Sequence, residues 1–176
     1  PRSLALRGYP IPTTDGHPRS LAAAGDGHIW FVLANTNKLV VFIPERETFR
    51  EYEVLTSFSN PGRLAIDRHG KIWFVEVTAN RIGVFSPATN RFDEVIVPTS
   101  ASAPVALVND DNGNVWFLES VGNKVGVFNP ESAVFREYIV PTYGSLPAEM
   151  VLDRKRSMIW FTQSATEARR LGMLSI

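Results

Sequence analysis

Residues 61–99 read PGRLAIDRHGKIWFVEVTANRIGVFSPATNRFDEVIVPT, and the same text returns three more times along the chain. It stands as PRSLAAAGDGHIWFVLANTNKLVVFIPERETFREYEVLT over 18–56 and as PVALVNDDNGNVWFLESVGNKVGVFNPESAVFREYIVPT over 104–142. A shorter version, PAEMVLDRKRSMIWFTQSATEARRLGMLSI, fills 147–176. All four tryptophans, Trp30, Trp73, Trp116 and Trp160, fall on this beat at spacings of 43, 43 and 44 residues, each preceded by Ile or Val and followed by Phe. Pro18, Pro61, Pro104 and Pro147 keep it at 43. A period in the forties, rich in β-branched and aromatic residues, is that of a propeller blade; helical repeats would show apolar positions at helical spacing.

Each repeat resolves into four antiparallel strands. In the second, Arg63 to Asp67 is a short apolar strand, and Arg68-His69-Gly70 turns it into Lys71 to Glu76. Val77 to Asn80 turns the chain into Arg81 to Phe85, and Ser86 to Asn90 breaks it before Arg91 to Val97. The first strand, read across repeats as Leu21 to Ala24, Leu64 to Ile66, Val105 to Val108 and Met150 to Leu152, is small and apolar, suited to a crowded axis. The fourth alternates apolar and charged residues, as in Phe135-Arg136-Glu137-Tyr138, which marks a half-exposed outer strand. The repeated Trp fills the space between neighbouring blades.

The reading is therefore an all-β propeller unit of four repeats, with complete blades at 18–56, 61–99 and 104–142 and a three-stranded partial blade at 147–176. Residues 1–13 align with an outer strand, since Tyr9-Pro10-Ile11-Pro12-Thr13 stands where Val95 to Thr99 does. One strand at one end and three at the other are in phase to share a blade, the usual closure of a propeller ring. Two other arrangements suit so few blades: self-association of two chains into an eight-bladed ring, or a segment of a larger propeller. A lone open half-ring would leave edges that invite association.

Composition narrows the function. Lys plus Arg equals Asp plus Glu at 18 each, which leaves no electrostatic footprint for nucleic acid. No apolar run approaches the ~20 residues that cross a bilayer, so no membrane insertion is expected. The absence of cysteine removes disulfides, thiolate metal sites and a thiol nucleophile. The chain opens on Pro1 rather than Met, as a processed chain or a piece of a longer one would. The run Asn109 to Asn114 has the composition of a calcium loop, but it fills the hairpin slot and no bidentate glutamate follows at loop spacing, so it reads as a turn. His17, His28 and His69 occupy different repeat positions and do not make a metal triad.

The run Ile72-Trp73-Phe74-Val75-Glu76, then Asn80-Arg81-Ile82-Gly83, then Val97-Pro98-Thr99, resembles the repeat of the virginiamycin B (streptogramin B) lyase family through essentially the whole chain. The resemblance implies a seven-bladed fold, a magnesium cofactor, and opening of a cyclic ester peptide by elimination. It also implies catalytic histidines just after the proline that opens a repeat, and in one repeat a glutamate before it. Here the residues after the proline are Arg19, Gly62, Val105 and Ala148, and those before it are His17, Asn60, Ala103 and Leu146. No residue among the first four can serve as the general base. Three residues beyond each Trp stand Leu33, Glu76, Glu119 and Gln163. Hairpin geometry puts this position at the same end of the blade as the proline, so His17, Arg19, Glu76, Glu119 and Gln163 are expected to converge on the central opening as a ligand site. The alternative is that the glutamates are repeat residues bonded within the blades.

The expected role is a binding or structural module with an unidentified small-molecule or protein ligand, no catalytic or metal residues, and no cofactor of its own. The second reading is a magnesium-dependent lyase whose catalytic blades lie outside this chain. Exposed apolar tips between blades, Phe58 and Tyr143, would mark a protein-interaction scaffold. Because relatives are often exported, an extracellular or periplasmic setting is the expected one.

Overall fold

The computed structural model describes residues 5–167 and 169–176. Among these there are fifteen strands and no helix. The first repeat gives β1 (Pro18–Ala23), β2 (Ile29–Leu33), β3 (Lys38–Ile43) and β4 (Thr48–Glu53). The second gives β5 (Pro61–Ile66), β6 (Ile72–Glu76), β7 (Arg81–Ser86) and β8 (Arg91–Ile96). The third gives β9 (Pro104–Asn109), β10 (Val115–Glu119), β11 (Lys124–Asn129) and β12 (Val134–Ile139). The fourth stops at three strands, β13 (Pro147–Asp153), β14 (Met158–Gln163) and β15 (Arg170–Ser175). Every repeat is an antiparallel meander in chain order, as the repeat reading requires of a propeller blade.

Local chemistry sets the turns. Asp67 Oδ1 accepts the backbone N–H of His69 and of Lys71, and Gly70 takes the left-handed φ of 76° that closes the β5–β6 hairpin. Asp110 Oδ1 does the same for Asn112 and Asn114, with Gly113 at φ 83°. The second carboxylate oxygen accepts the indole N–H of the blade's Trp, at 2.9 Å for both Asp67–Trp73 and Asp110–Trp116. The Asn109–Asn114 run is thus a turn whose central carboxylate is taken up by its own hairpin.

The sheets stack in order, β1 on β5, β5 on β9 and β9 on β13. In the first seam Trp30, Val32, Leu39 and Val41 meet Leu64, Ile72, Phe74 and Phe85. In the second, Trp73, Val75 and Ile82 meet Leu107, Val115, Phe117 and Phe128. In the third, Trp116, Leu118 and Val127 meet Met150, Ile159 and Phe161. Trp30, Trp73 and Trp116 are all buried in these seams. Trp160 stands half-buried on the outward face of the last sheet, beside its strand partners Val151 and Met173.

The last sheet ends in the phase that the repeat predicts, with three strands, and among the described residues no strand from the start of the chain pairs with it. Residues 5–17 carry no strand, and residues 1–4 lie outside the described residues. Thr13 donates its N–H and hydroxyl to Glu51 as Thr56 does to Glu94 and Thr99 to Glu137, the place that the repeat alignment gives it, and the Tyr9 ring lies 4.6 Å from Phe42. These contacts hold the segment on the first sheet. The first and last sheets lie at opposite ends of the stack.

A polar cleft among the inner strands

The four inner strands converge on a cleft of about 390 Å³ lined by Arg19, Ser20, Asn60, Gly62, Arg63, Val77, Val105 and Glu149. Its charges are Arg19, Arg63 and Glu149, and the Arg63 guanidinium pairs with the Glu149 carboxylate from the second sheet to the fourth. A bulge shapes this lining. The pairing of β1 with β2 shifts between Arg19 and Leu21, that of β5 with β6 between Pro61 and Leu64, and that of β13 with β14 between Pro147 and Met150. A bulge breaks the alternation of side chains and re-aims one of them. The residue two beyond the proline, Ser20, Arg63 or Glu149, thereby faces the cleft, in the first two repeats together with Arg19 or Gly62 before it.

Of the residues expected to converge there, only Arg19 lines the cleft. His17 is exposed with its backbone at φ 52°, and its carbonyl accepts the Ala34 N–H. Glu76, Glu119 and Gln163 are buried, the two glutamates completely. Each stands at the end of its second strand opposite the opening proline, Glu76 paired with Pro61, Glu119 with Pro104 and Gln163 with Pro147. Side chains, however, stand perpendicular to a sheet. A residue at the end of the second strand therefore points between neighbouring sheets and not out of the mouth. Sequence reasoning missed Arg63 and Glu149, although both are charges in an otherwise small, apolar strand.

Between the sheets, a repeated network surrounds the buried acids. Asn37 Nδ2 donates to the carbonyls of Val54 and Thr56, while its Oδ1 accepts the N–H and hydroxyl of Ser59 at 3.0 and 2.8 Å. Asn80 with Ser102 and Asn123 with Ser145 repeat it. Each Asn takes a left-handed φ between β2 and β3 or the equivalent strands, at 57°, 56° and 54°. A second set fixes the outer strands. Thr56 donates its N–H and hydroxyl to Glu94, and Thr99 does so to Glu137. Lys124 Nζ lies 2.8 Å from Glu137, and Lys38 Nζ lies 2.8 Å from Glu51. Hydrogen bonds from Lys38 and Thr13 hold the Glu51 carboxyl below its usual range. Burial raises the Glu137 carboxyl, but bonds from Lys124 and Thr99 outweigh it and the net direction is down.

Glu76 and Glu119 go the other way. Burial, with the neighbouring Glu94 adding to it, pushes Glu76 up to about 8. Burial and Glu137 push Glu119 up to about 7. Neither oxygen of either side chain has a hydrogen-bond partner within the usual geometric limits.

The model of the virginiamycin B lyase family matches residues 3–172. The chain belongs to the virginiamycin B lyase family. A streptogramin B lyase structure superposes with a TM-score of 0.85 at 27% identity, over 96% of this chain and 57% of that one. Virginiamycin B lyase from Staphylococcus aureus gives 0.81 at 26%, over 93% and 57%. A catalytically inactive histidine-to-alanine variant of that S. aureus enzyme, with quinupristin, gives 0.83 at 26%, over 94% and 58%. The chain thus spans about 57% of the length of these lyases. No curated protein sequence matches it.

Family membership gives the cleft a meaning, because the position after the opening proline carries the lyase histidines by resemblance. Three of the four residues at that position, Arg19, Gly62 and Val105, line the cleft. None has an acid–base side chain matched to neutral pH. The cleft does not fit magnesium either. That ion takes oxygen ligands and favours carboxylates, whereas this cleft adds only the neutral oxygens of Ser20 and Asn60 to two guanidiniums and a single carboxylate already paired with one of them.

Proposed function

We propose that these blades form a ligand-binding mouth of the virginiamycin B lyase type that holds its ligand without the lyase elimination. The observation that carries this is the identity of the residues after the proline: they sit at the mouth, and they are Arg19, Gly62 and Val105. An arginine offers planar paired donors but cannot abstract a proton, because it stays charged. Arg63 is already satisfied by Glu149, so a ligand carboxylate or carbonyl competes with Glu149 for it while Arg19 supplies a second donor. Ligands suited to the mouth are therefore those with an acidic or carbonyl-rich edge, cyclic ester peptides included.

The experiment is to titrate the protein with a streptogramin B such as quinupristin, with and without magnesium, following binding by calorimetry and linearisation by mass spectrometry. Binding that weakens in Arg19→Ala and Arg63→Ala, with no ring opening, is the expected result. Magnesium-dependent linearisation by this chain would overturn it. The family relationship favours the second reading, a magnesium-dependent lyase whose histidines lie on other blades. In that case the antibiotic is opened only when those blades are present, and Arg19→Ala then lowers turnover.

A further inference from the structure

The slot three residues beyond each Trp holds Leu33, Glu76, Glu119 and Gln163, and all four are buried. Its contents follow the residue that covers it from the preceding linker. Gly16 covers Leu33, so closely that a Cβ there would stand 3.0 Å from Leu33 Cδ1. The residues at the equivalent linker position are Ser59 for Glu76, Ser102 for Glu119 and Ser145 for Gln163. A leucine meets glycine; an acid or an amide meets serine.

The hydrogens of this network can be assigned one by one. Both Nδ2 hydrogens of Asn37 go to carbonyls, which fixes Oδ1 as the acceptor and commits the Ser59 hydroxyl hydrogen to it. Ser59 Oγ is left with lone pairs only, so it has no hydrogen to give to Glu76. The other neighbour, Glu94, is itself an acceptor, occupied by the Thr56 N–H and hydroxyl. Arg81 addresses Glu94 from 3.9 Å. From the first sheet and its linker come Asn37, Thr56 and Ser59, none of which titrates. An ionised Glu76 would therefore be a buried anion facing acceptors, which is costly, whereas a protonated one is a donor facing an acceptor. Asn80, Ser102, Glu119 and Glu137 repeat the arrangement, with Lys124 reaching Glu137. Gln163, a neutral side chain that can donate, fills the slot in the fourth repeat.

We propose that Glu76 and Glu119 are carried as uncharged acids, and that the two seams they occupy are proton-dependent clamps which loosen in alkaline solution. Deprotonation places a second negative charge beside Glu94 or Glu137 inside a seam, on a side chain neither of whose oxygens has a hydrogen-bond partner. The clamp makes cohesion between blades a function of pH without any change at the mouth.

Two measurements test this. Infrared spectroscopy of the unaltered protein with ¹³C-labelled glutamate at pH 6 should show the carbonyl band of a protonated carboxylic acid. That band should shrink in Glu76→Gln and in Glu119→Gln and vanish in the double variant. In urea, the denaturation midpoint of the unaltered protein should fall between pH 5.5 and pH 9.5, and that of the double variant should stay nearly level. Absence of the acid band at pH 6, or an equal fall in the double variant, would overturn the proposal. The infrared arm stands even if a variant folds poorly.

Discussion

Asn80 Oδ1 lies 2.9 Å from both the backbone nitrogen and the hydroxyl of Ser102, and the same amide reaches the carbonyls of Val97 and Thr99 with its Nδ2. One side chain thereby joins the turn after β6, the end of the second blade and the linker to the third. Asn80→Ala orphans four part-buried groups and places a Cβ residue without a polar side chain at φ 56°. At about 1–3 kcal/mol for a buried unsatisfied group, the loss should be about 3 kcal/mol or more by urea denaturation. Asn80→Gly removes only the backbone strain, so it should recover only about 1 kcal/mol of that.

The four tryptophans should not be equivalent. Trp73 lies in a seam between two sheets, 6.3 Å from Phe128, whereas Trp160 faces outward from the last sheet. Trp73→Ala should cost about 3–5 kcal/mol, the range for a large aromatic removed from a core. Trp160→Ala should cost less than half of that, because much of its ring is already in water. Equal losses in thermal denaturation would mean that Trp160 is covered in solution.

Glycine recurs at Gly83, Gly126 and Gly172, opposite Phe74, Phe117 and Phe161. A Cβ at Gly126 would run into the Phe117 ring, which lies across that position. Gly126→Ala should therefore destabilise the third blade by about 1–3 kcal/mol, the cost of overpacking. Phe117→Leu in the same chain should relieve part of it, and a double-mutant cycle reads the coupling. In the first sheet Val40 stands opposite Phe31, so the repeat does tolerate a side chain there when the aromatic repacks.

The repeat made the architecture readable because the seams are built from residues that recur: Trp30, Trp73 and Trp116, and the Phe that follows Trp in Phe74, Phe117 and Phe161. The site was less readable for two physical reasons. Glu76 and Glu119 were placed at the right height on their strands, but which way they point depends on the pleat and not on the end of the hairpin. Arg63 and Glu149 were overlooked because a bulge, invisible in the residue pattern, breaks the alternation of the inner strand. The Asn–Ser pairs were legible in principle. Asn37, Asn80 and Asn123 recur at 43 residues, as do Ser59, Ser102 and Ser145, and two polar residues on one beat point to a shared bond.

Glu119 and Glu137 face each other across one blade and should control opposite limbs of the stability profile. Glu119 is raised to about 7 from an unfolded value of 4.5, so the folded state holds the extra proton between those values. Its stabilising contribution is complete below pH 4.5 and is lost as pH rises toward 7. Glu137 is lowered from 4.5 by the Lys124 and Thr99 bonds that outweigh its burial, so its contribution is complete above pH 4.5 and is lost on acidification through its folded value. Glu119→Gln should shrink the alkaline limb, leaving the part that Glu76 contributes, and should leave the acid limb in place. Glu137→Gln should weaken the protein at neutral pH, by removing the carboxylate that Lys124 and Thr99 address, and should shrink the acid limb. Urea midpoints measured from pH 3 to pH 9.5 for both variants separate the two effects, and a variant that moved both limbs together would show that the carboxyls titrate as one coupled unit.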